Sequence, residues 1–179
     1  MRPKILPPGY TLEAAQEAHV PPLQAIETAA AGMFPPGFLP EHILSDHVPR
    51  DLLLEALRAG ALPVVLDADR RPVGYGLLRL VDGLALLAQL DVHPAHGRKG
   101  LGTALVARVA DTARRRGAKT LYLTTFAHVP WNAPFYARLG FSVVPEDRQP
   151  PVIREILAEE RAMGLTDRVA MRLPLSPTP

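Results

Sequence analysis

The stretch that decides the fold is Leu87-Ala88-Gln89-Leu90-Asp91-Val92-His93-Pro94-Ala95-His96-Gly97-Arg98-Lys99-Gly100-Leu101-Gly102-Thr103. It begins as an apolar strand and passes through a glycine-rich turn into a segment where Leu101, Leu105 and Val109 recur at helical spacing. A helix N-terminus offers free N–H groups and a partial positive charge, and glycines let an anion approach the backbone. The stretch therefore predicts an anion-binding turn between a strand and a helix.

The glycine spacing alone does not identify the anion, because glycine turns before helices often serve only close packing. The spacing fits neither G-x-G-x-x-G nor G-x-x-x-x-G-K-[ST], the two phosphate patterns of dinucleotide and nucleoside-triphosphate sites. Charge adds a second signal, since residues 97–119 carry seven basic side chains and one acidic side chain. That cluster indicates either an anionic ligand or a solvated helix face.

Outward from this stretch the chain alternates between strand and helix patterns. Strands are predicted at residues 10–14, 62–66, 73–80, 84–92, 121–125, 141–144 and 168–173. Helices are predicted at residues 21–33, 51–59, 102–116, 133–139 and 151–163, and residues 34–49 are predicted to be irregular. Short turns between the second, third and fourth strands favour an antiparallel meander, and the following strand–helix–strand unit favours a parallel crossover. The pattern predicts an α+β (mixed α/β) fold with a mixed sheet.

Composition limits the class of protein. The chain has 179 residues and no cysteine, which excludes disulfide scaffolds, iron–sulfur centres, thiolate zinc sites and a cysteine nucleophile. A charged fraction of 21% argues against a disordered chain. The length is that of a single domain, so one folded domain is predicted over residues 1–179. The opening stretch, Met1 to Gly9, is broken by prolines and does not read as a secretory signal, so we expect a cytoplasmic protein.

Two motifs resemble those of the GNAT superfamily of acyl-CoA-dependent N-acyltransferases. The superfamily has V-x-P-x-x-[QR]-x-x-G-x-[GA] before a helix and later Y-x-x-L-G-F. The matching residues are Val92, Pro94, Gly100 and Gly102, and then Tyr136-Ala137-Arg138-Leu139-Gly140-Phe141. The resemblance covers about residues 84–144, and it departs at Gly97, where the superfamily usually has Gln or Arg.

The resemblance implies a CoA-binding core over residues 84–144, with two parallel strands splayed apart at the cofactor site. It implies acetyl-CoA as co-substrate and no metal. The cofactor-binding residues it implies are Leu90, Val92, Gly97, Arg98, Lys99, Gly100, Leu101, Gly102, Thr103, Asn132 and Phe135. Asn132 lies four residues before the tyrosine of the second motif, whereas the superfamily's asparagine lies seven before it, at Val129 here.

The resemblance also implies that Tyr136 donates a proton to the departing thiolate. The general base is less defined, because the strand positions where relatives carry Glu or His are Leu86, Ala88 and Thr124. Four other residues remain as candidates: Glu27, Asp91, His93 and His128. We place Asp91 and Glu27 with Tyr136 in the catalytic set.

Substrate choice is assigned to the variable segment, residues 33–51, which mixes apolar and charged side chains. Phe34, Glu41 and His128 are the substrate-binding candidates. The predicted function is transfer of acetyl from acetyl-CoA to a primary amine of a small molecule or peptide, within a ternary complex. The alternative is a non-catalytic acyl-CoA-binding regulatory module. Neither a nucleic-acid nor a membrane partner is expected, and a homodimer is possible.

Overall fold

The computed structural model describes residues 6–175. Residues 1–5 and 176–179 lie outside the described residues. The expectation of no secretory signal rests on residues 1–9, and most of these also lie outside the described residues. No helix within residues 6–175 is both long enough and apolar enough to cross a membrane.

Seven strands and six helices form the described part of the chain. The strands are β1 (Thr11–Ala14), β2 (Pro63–Leu66), β3 (Pro72–Val81), β4 (Leu84–Val92), β5 (Thr120–Phe126), β6 (Ser142–Val143) and β7 (Arg168–Pro174). The helices are α1 (Leu23–Ala31), α2 (Glu41–Leu44), α3 (Arg50–Arg58), α4 (Leu101–Arg115), α5 (Ala133–Arg138) and α6 (Pro151–Ala162). Single 3-10 turns occur at Glu17–His19, Pro94–His96 and Glu146–Arg148.

Every predicted strand and helix is present, and each boundary agrees to within two residues. The prediction of an irregular segment at residues 34–49 is wrong in one place, because α2 lies within it. Pro40 precedes α2 with extended backbone (ψ 144°), and the chain then makes a single helical turn before Ser45. One turn contains too few positions to give a helical repeat that the sequence could show.

The strands are ordered β1-β2-β3-β4-β5-β7-β6 in a seven-stranded mixed sheet. β1 with β2 and β2 with β3 pair antiparallel. β4 and β5 pair parallel at Ala85 with Leu121 and Leu86 with Tyr122, and α4 makes the crossover between them. β7 pairs antiparallel with β5 and with β6. The predicted mixed α/β fold is therefore confirmed.

The chain divides into two compact units. One unit contains the chain up to Arg79 together with Leu87–Thr112, and the other contains Leu80–Leu86 together with the chain from Ala113 onward. In the first unit, the core of β2, β3 and α4 includes the buried residues Val65, Val73, Leu101 and Leu105. In the second unit, the largest fully buried side chains among the described residues are Leu121, Leu123, Ile153 and Met171. The single domain over residues 1–179 stays a prediction.

Candidate functional site

The predicted anion-binding turn lies in the first unit, between β4 and α4. β4 ends at Val92, one 3-10 turn follows at Pro94–His96, and α4 begins at Leu101. Arg98 and Gly100 both have left-handed backbone, with φ of 60° and 82°. Glycine adopts this conformation readily, but arginine rarely does, so the loop holds Arg98 in a strained conformation.

The loop presents a run of unused hydrogen-bond donors. The N–H groups of His96 and Gly97 donate to the carbonyls of His93 and Pro94, at 2.8 and 3.0 Å. The next six N–H groups, of residues 98–103, have no acceptor within the described part of the protein. Free N–H groups at the start of a helix, here one of 15 residues, are suited to binding a phosphate or another anion.

The cofactor-binding residues predicted in the first unit all belong to this region. Leu90 and Val92 lie at the end of β4, and Leu101, Gly102 and Thr103 form the first turn of α4. A Cβ atom at Gly97 would lie 3.1 Å from the Pro94 carbonyl oxygen, so a larger side chain would crowd the turn there. Gly97 and Gly100 contribute only backbone to the loop, whereas Arg98 and Lys99 contribute exposed side chains.

Two carboxylates, each hydrogen-bonded to its own donors, lie in the same unit and interact electrostatically. Glu27 on α1 is 7% exposed, and both of its oxygens are accepting. The Tyr75 hydroxyl donates to one Glu27 oxygen at 2.7 Å, and the Val48 N–H donates to the other at 2.9 Å. On β4, Gln89 donates to an Asp91 oxygen at 2.7 Å. Glu27 is therefore fully engaged, whereas only one oxygen of Asp91 has a protein donor among the described residues.

The surroundings of Asp91 favour its protonated form. Burial raises the pKa of Asp91 from its ordinary value of 3.8 to about 7, and the negative charge of Glu27 adds to the increase. The Gln89 hydrogen bond acts in the opposite direction. Burial, together with the charges of Asp91 and Glu27, also raises the pKa of Tyr75, so Tyr75 remains a proton donor to Glu27.

The other predicted residues of the motif lie in the second unit. Tyr136 on α5 is 9% exposed and makes edge-to-face contacts with Phe135 and Phe141 at 5.1 and 5.6 Å. Its N–H donates to the carbonyl of Asn132 at 3.1 Å. The Asn132 side-chain oxygen is buried and has no hydrogen-bond partner within residues 6–175. A buried acceptor without a donor is costly, and a ligand that donates to it would remove that cost.

The substrate-binding candidates are divided between the two units, with Phe34 and Glu41 in the first and His128 in the second. Phe34 stacks on Phe38 at 5.1 Å, and Glu41 is exposed at the start of α2. His128, in the second unit, is exposed after β5. His93, a further candidate base, accepts a hydrogen bond from the Ala95 N–H at 3.3 Å and so caps the 3-10 turn.

Sequence reasoning missed Tyr75 and Gln89. In the sequence Tyr75 looks like any other core residue of a β-strand. Its role depends on the hydrogen bond that its hydroxyl donates to Glu27, 48 positions away. Gln89 is two residues from Asp91 and therefore on the same face of β4, which is a signal that could have found it.

A family model, a sequence relative and solved structures all indicate the same family or fold. Residues 24–141 match the family model described as the acetyltransferase (GNAT) family. The [ribosomal protein bS18]-alanine N-acetyltransferase of Salmonella typhimurium is 30% identical over 115 residues, which are 64% of this chain and 72% of that protein.

Two solved structures show the same fold. N-acetylglutamate synthase from Neisseria gonorrhoeae, complexed with coenzyme A and N-acetyl-glutamate, has a TM-score of 0.71 at 20% identity. The match covers 93% of this chain and 35% of that one, so this chain spans about a third of the synthase. PaiA N-acetyltransferase from Thermoplasma acidophilum, complexed with coenzyme A, has a TM-score of 0.67 at 15% identity, covering 92% and 98%.

The predicted resemblance is thereby confirmed at the level of sequence and of fold. The family model spans more than half of the chain and includes both β4–turn–α4 and Tyr136. This chain belongs to the acetyltransferase (GNAT) family and is an enzyme of the acyltransferase class.

Proposed function

We propose that this protein transfers an acetyl group from acetyl-CoA to a primary amine of a small molecule or peptide, directly and within a ternary complex. The observation that carries the proposal is the run of six free N–H groups at residues 98–103. They suit the pyrophosphate of CoA, a doubly charged anion that needs several donors at once. The basic side chains of Arg98 and Lys99 add positive potential at the same loop.

Acetyl-CoA is the acyl donor in this proposal. Two structurally similar proteins were solved with coenzyme A bound, and their fold is shared by this chain. Loop residues 97–103 hold the pyrophosphate, and the backbone of Leu90 and Val92 pairs with the pantetheine arm. Asn132 and Phe135 are assigned to the cofactor as well. The buried Asn132 oxygen supports its assignment, because it needs a donor that the described protein does not supply.

Asp91 is the proposed general base. The attacking amine must lose a proton, and a carboxylate with a pKa of about 7 can accept one near neutral pH. We assign Glu27 a supporting role in the catalytic set, because both of its oxygens already accept hydrogen bonds, from Tyr75 and Val48. The negative charge of Glu27 then contributes to the proton affinity of Asp91. A backbone N–H of β4 near Asp91 is assigned to the developing oxyanion.

Tyr136 is the proposed general acid, which protonates the CoA thiolate as the tetrahedral intermediate collapses. A phenol with a pKa near 10 can protonate a thiolate of pKa near 8.5 only where its position favours transfer as charge develops. The packing of Tyr136 between Phe135 and Phe141 supports this role, because it restricts the ring to one orientation.

The acceptor amine is proposed to contact the variable segment through Phe34 and Glu41, with His128 as a further contact. The relative from Salmonella typhimurium acetylates an alanine of ribosomal protein bS18. A peptide with N-terminal alanine therefore belongs in any panel of acceptors, with free amino acids, polyamines and aminoglycosides. A cytoplasmic location and a homodimer are the remaining parts of the proposal.

The test is acetyl-CoA turnover with this panel, read by release of free thiol. Amine-dependent thiol release with formation of the N-acetyl product supports the proposal. CoA binding without thiol release for any amine would favour the alternative, an acyl-CoA-binding regulatory module. A filter-binding assay at two salt concentrations tests for nucleic-acid binding, which would weaken steeply with salt.

A further inference from the structure

Tyr10 links the N-terminal part of the chain to the phosphate loop through its hydroxyl group. Lys99 Nζ donates to the Tyr10 oxygen at 2.8 Å, and that oxygen lies 2.9 Å from His96 Nδ1. An ammonium group can only donate, so the single hydroxyl proton of Tyr10 is directed to His96. The three side chains form one directed chain, from Lys99 through Tyr10 to an unprotonated nitrogen of His96.

The charged surroundings keep this chain intact at neutral pH. Partial burial, followed by the positive charges of Lys99 and His93, lowers the pKa of His96, and Asp67 acts weakly in the opposite direction. His96 is therefore neutral near pH 7, and its Nδ1 can accept the Tyr10 proton. The ring of His96 also contacts the ring of Tyr10 edge-to-face, with centroids 5.8 Å apart.

Tyr10 is itself fixed to the core of the first unit. Its ring packs against the buried cluster of Val65, Val73, Leu101 and Leu105. Two members of that cluster lie on α4, whose first turn carries the free N–H groups. The Tyr10 hydroxyl is therefore held in a defined position relative to the loop.

Lys99 is exposed, and a free lysine side chain loses considerable rotamer entropy when it is ordered. Tyr10 reduces that freedom in two ways, by the hydrogen bond and by its ring, whose centroid is 5.3 Å from the ammonium. Gly97 supplies no side chain, so Arg98 and Lys99 are the cations of the loop itself. A cation that is already ordered binds an anion at lower entropic cost.

We propose that Tyr10 is a positioning residue that holds the Lys99 ammonium beside the free N–H groups of residues 98–103, where it binds the pyrophosphate of CoA. This inference rests on the proposed function, because it requires CoA at this loop. In this proposal Tyr10 acts through Lys99 and not by direct contact with the phosphate or the acetyl group. Its removal therefore affects cofactor affinity, and leaves the chemical step at saturating acetyl-CoA unchanged.

The experiment is calorimetric titration of the full chain with CoA and with 3′-dephospho-CoA, which share the pyrophosphate. Four proteins are compared: the unaltered protein, Tyr10→Phe, Lys99→Met and the double variant. Tyr10→Phe should weaken both ligands by about threefold to tenfold, the worth of one net hydrogen bond. Lys99→Met should weaken them at least as much, and the double variant should equal Lys99→Met, because Tyr10 has nothing left to position. Tyr122→Phe, which removes a hydroxyl on β5, is the matched control and should leave both affinities unchanged.

Several results would overturn the inference. Unchanged or tighter binding by folded Tyr10→Phe would show that the hydroxyl does not serve the loop. Additive losses in the double variant would mean that Tyr10 acts apart from Lys99, including through a general loss of stability. A loss for CoA without a loss for dephospho-CoA would place Lys99 at the 3′-phosphate. Absence of CoA binding by the unaltered protein would overturn the proposed function and this inference with it.

Discussion

Asp91 is an aspartate whose pKa is raised well above its ordinary value by its surroundings. In the part of the chain that the structure describes, its carboxyl has one hydrogen-bond donor, Gln89, and the negative charge of Glu27 disfavours its ionised form. Burial is the larger cause of its raised pKa. A group that gains or loses its proton near pH 7 is suited to general-base catalysis at that pH.

The pH dependence of turnover should report the Asp91 carboxyl. Because the base acts when ionised, kcat/KM should rise with pH through about 7. Asp91→Asn removes the proposed base, so kcat should fall by about 10²–10⁴-fold and this rise should disappear. Steady-state kinetics across pH 5–9 measures both, with Asp82→Asn in the β3–β4 turn as control. An unchanged rise in Asp91→Asn would assign the base to another group.

Stability should depend on the same carboxyl. The folded protein holds the Asp91 proton up to about pH 7, whereas the unfolded chain releases it near 3.8, so the folded state binds more protons between these values. The contribution of Asp91 is therefore most favourable below pH 3.8 and is lost as pH rises to about 7. In Asp91→Asn the free energy of unfolding should fall less between pH 4 and 7. Urea denaturation at several pH values measures the free energy of unfolding. A steeper decrease of this free energy in Asp91→Asn than in the unaltered protein would contradict a raised pKa at Asp91.

Tyr136 offers a test of the chemical step by removal of one oxygen. Tyr136→Phe keeps the ring and its contacts with Phe135 and Phe141, so the variant should fold and bind CoA normally. If the phenol protonates the thiolate, kcat should fall by about 10²–10⁴-fold with little change in the acetyl-CoA binding constant. A folded variant with full activity would show that water or another residue supplies the proton.

At this scale the sequence predicts some residues and not others, for a physical reason. Asp91 and Glu27 stand out as charged residues within segments that otherwise read as apolar or weakly polar. Tyr75 and Tyr10 have no such local signal, because their hydroxyls act on residues 48 and up to 89 positions away. A contact between distant segments depends on the folded arrangement, which a local pattern does not contain.

At the scale of the elements, β3 approaches the β4 backbone closely at Gly74. A Cβ atom built there would lie 2.9 Å from the Asp91 carbonyl oxygen and 3.3 Å from the Val92 Cα. Real Cβ atoms essentially never come this close to backbone. The absence of a side chain at Gly74 thus permits the position of β4 that presents Asp91.

Gly74→Ala should therefore displace the β4 backbone at Asp91. The variant should lose about 1–3 kcal/mol of unfolding free energy, the usual cost of overpacking. Its kcat should also fall, because the carboxyl moves with the strand. Gly32→Ala is the control, since its Cβ would lie 3.4 Å from the nearest atom and the position is already helical. Urea denaturation and steady-state kinetics of both variants measure these two effects. A Gly74→Ala protein as stable and active as the control would contradict the close approach.

The elements themselves were largely predictable from sequence. Alternating or continuous apolar runs mark β2, β3 and β4, and the apolar repeat of α4 has the helical period. Glycines with positive φ end predicted elements at Gly60, Gly117 and Gly140. α2 was missed because one turn has no period, and the exact start of α1 because Pro21 and Pro22 precede its first hydrogen-bonded residues.

On the scale of the molecule, charge is distributed unevenly along the chain. Seven of the 20 basic residues fall within residues 97–119, and net charge is only +2. Arg98 and Lys99 lie at the loop, whereas Arg114, Arg115 and Arg116 lie at the far end of α4 and beyond it. For these three arginines a solvated helix face remains the simpler interpretation, and of the basic residues in this segment only Arg98 and Lys99 are assigned to the cofactor.

Thermal unfolding with and without CoA tests the central claim, that the loop at the start of α4 binds the pyrophosphate. CoA at about a hundred times its dissociation constant should add about 2.7 kcal/mol to the stability of the unaltered protein and raise its Tm. Gly102→Glu adds bulk and negative charge beside the free N–H groups, while a glutamate in the first turn is compatible with the helix. Ala162→Glu adds the same charge on an exposed position of α6 and serves as control. The account predicts that CoA raises the Tm of the unaltered protein and of Ala162→Glu but not that of Gly102→Glu. An equal CoA-dependent increase in folded Gly102→Glu would contradict it.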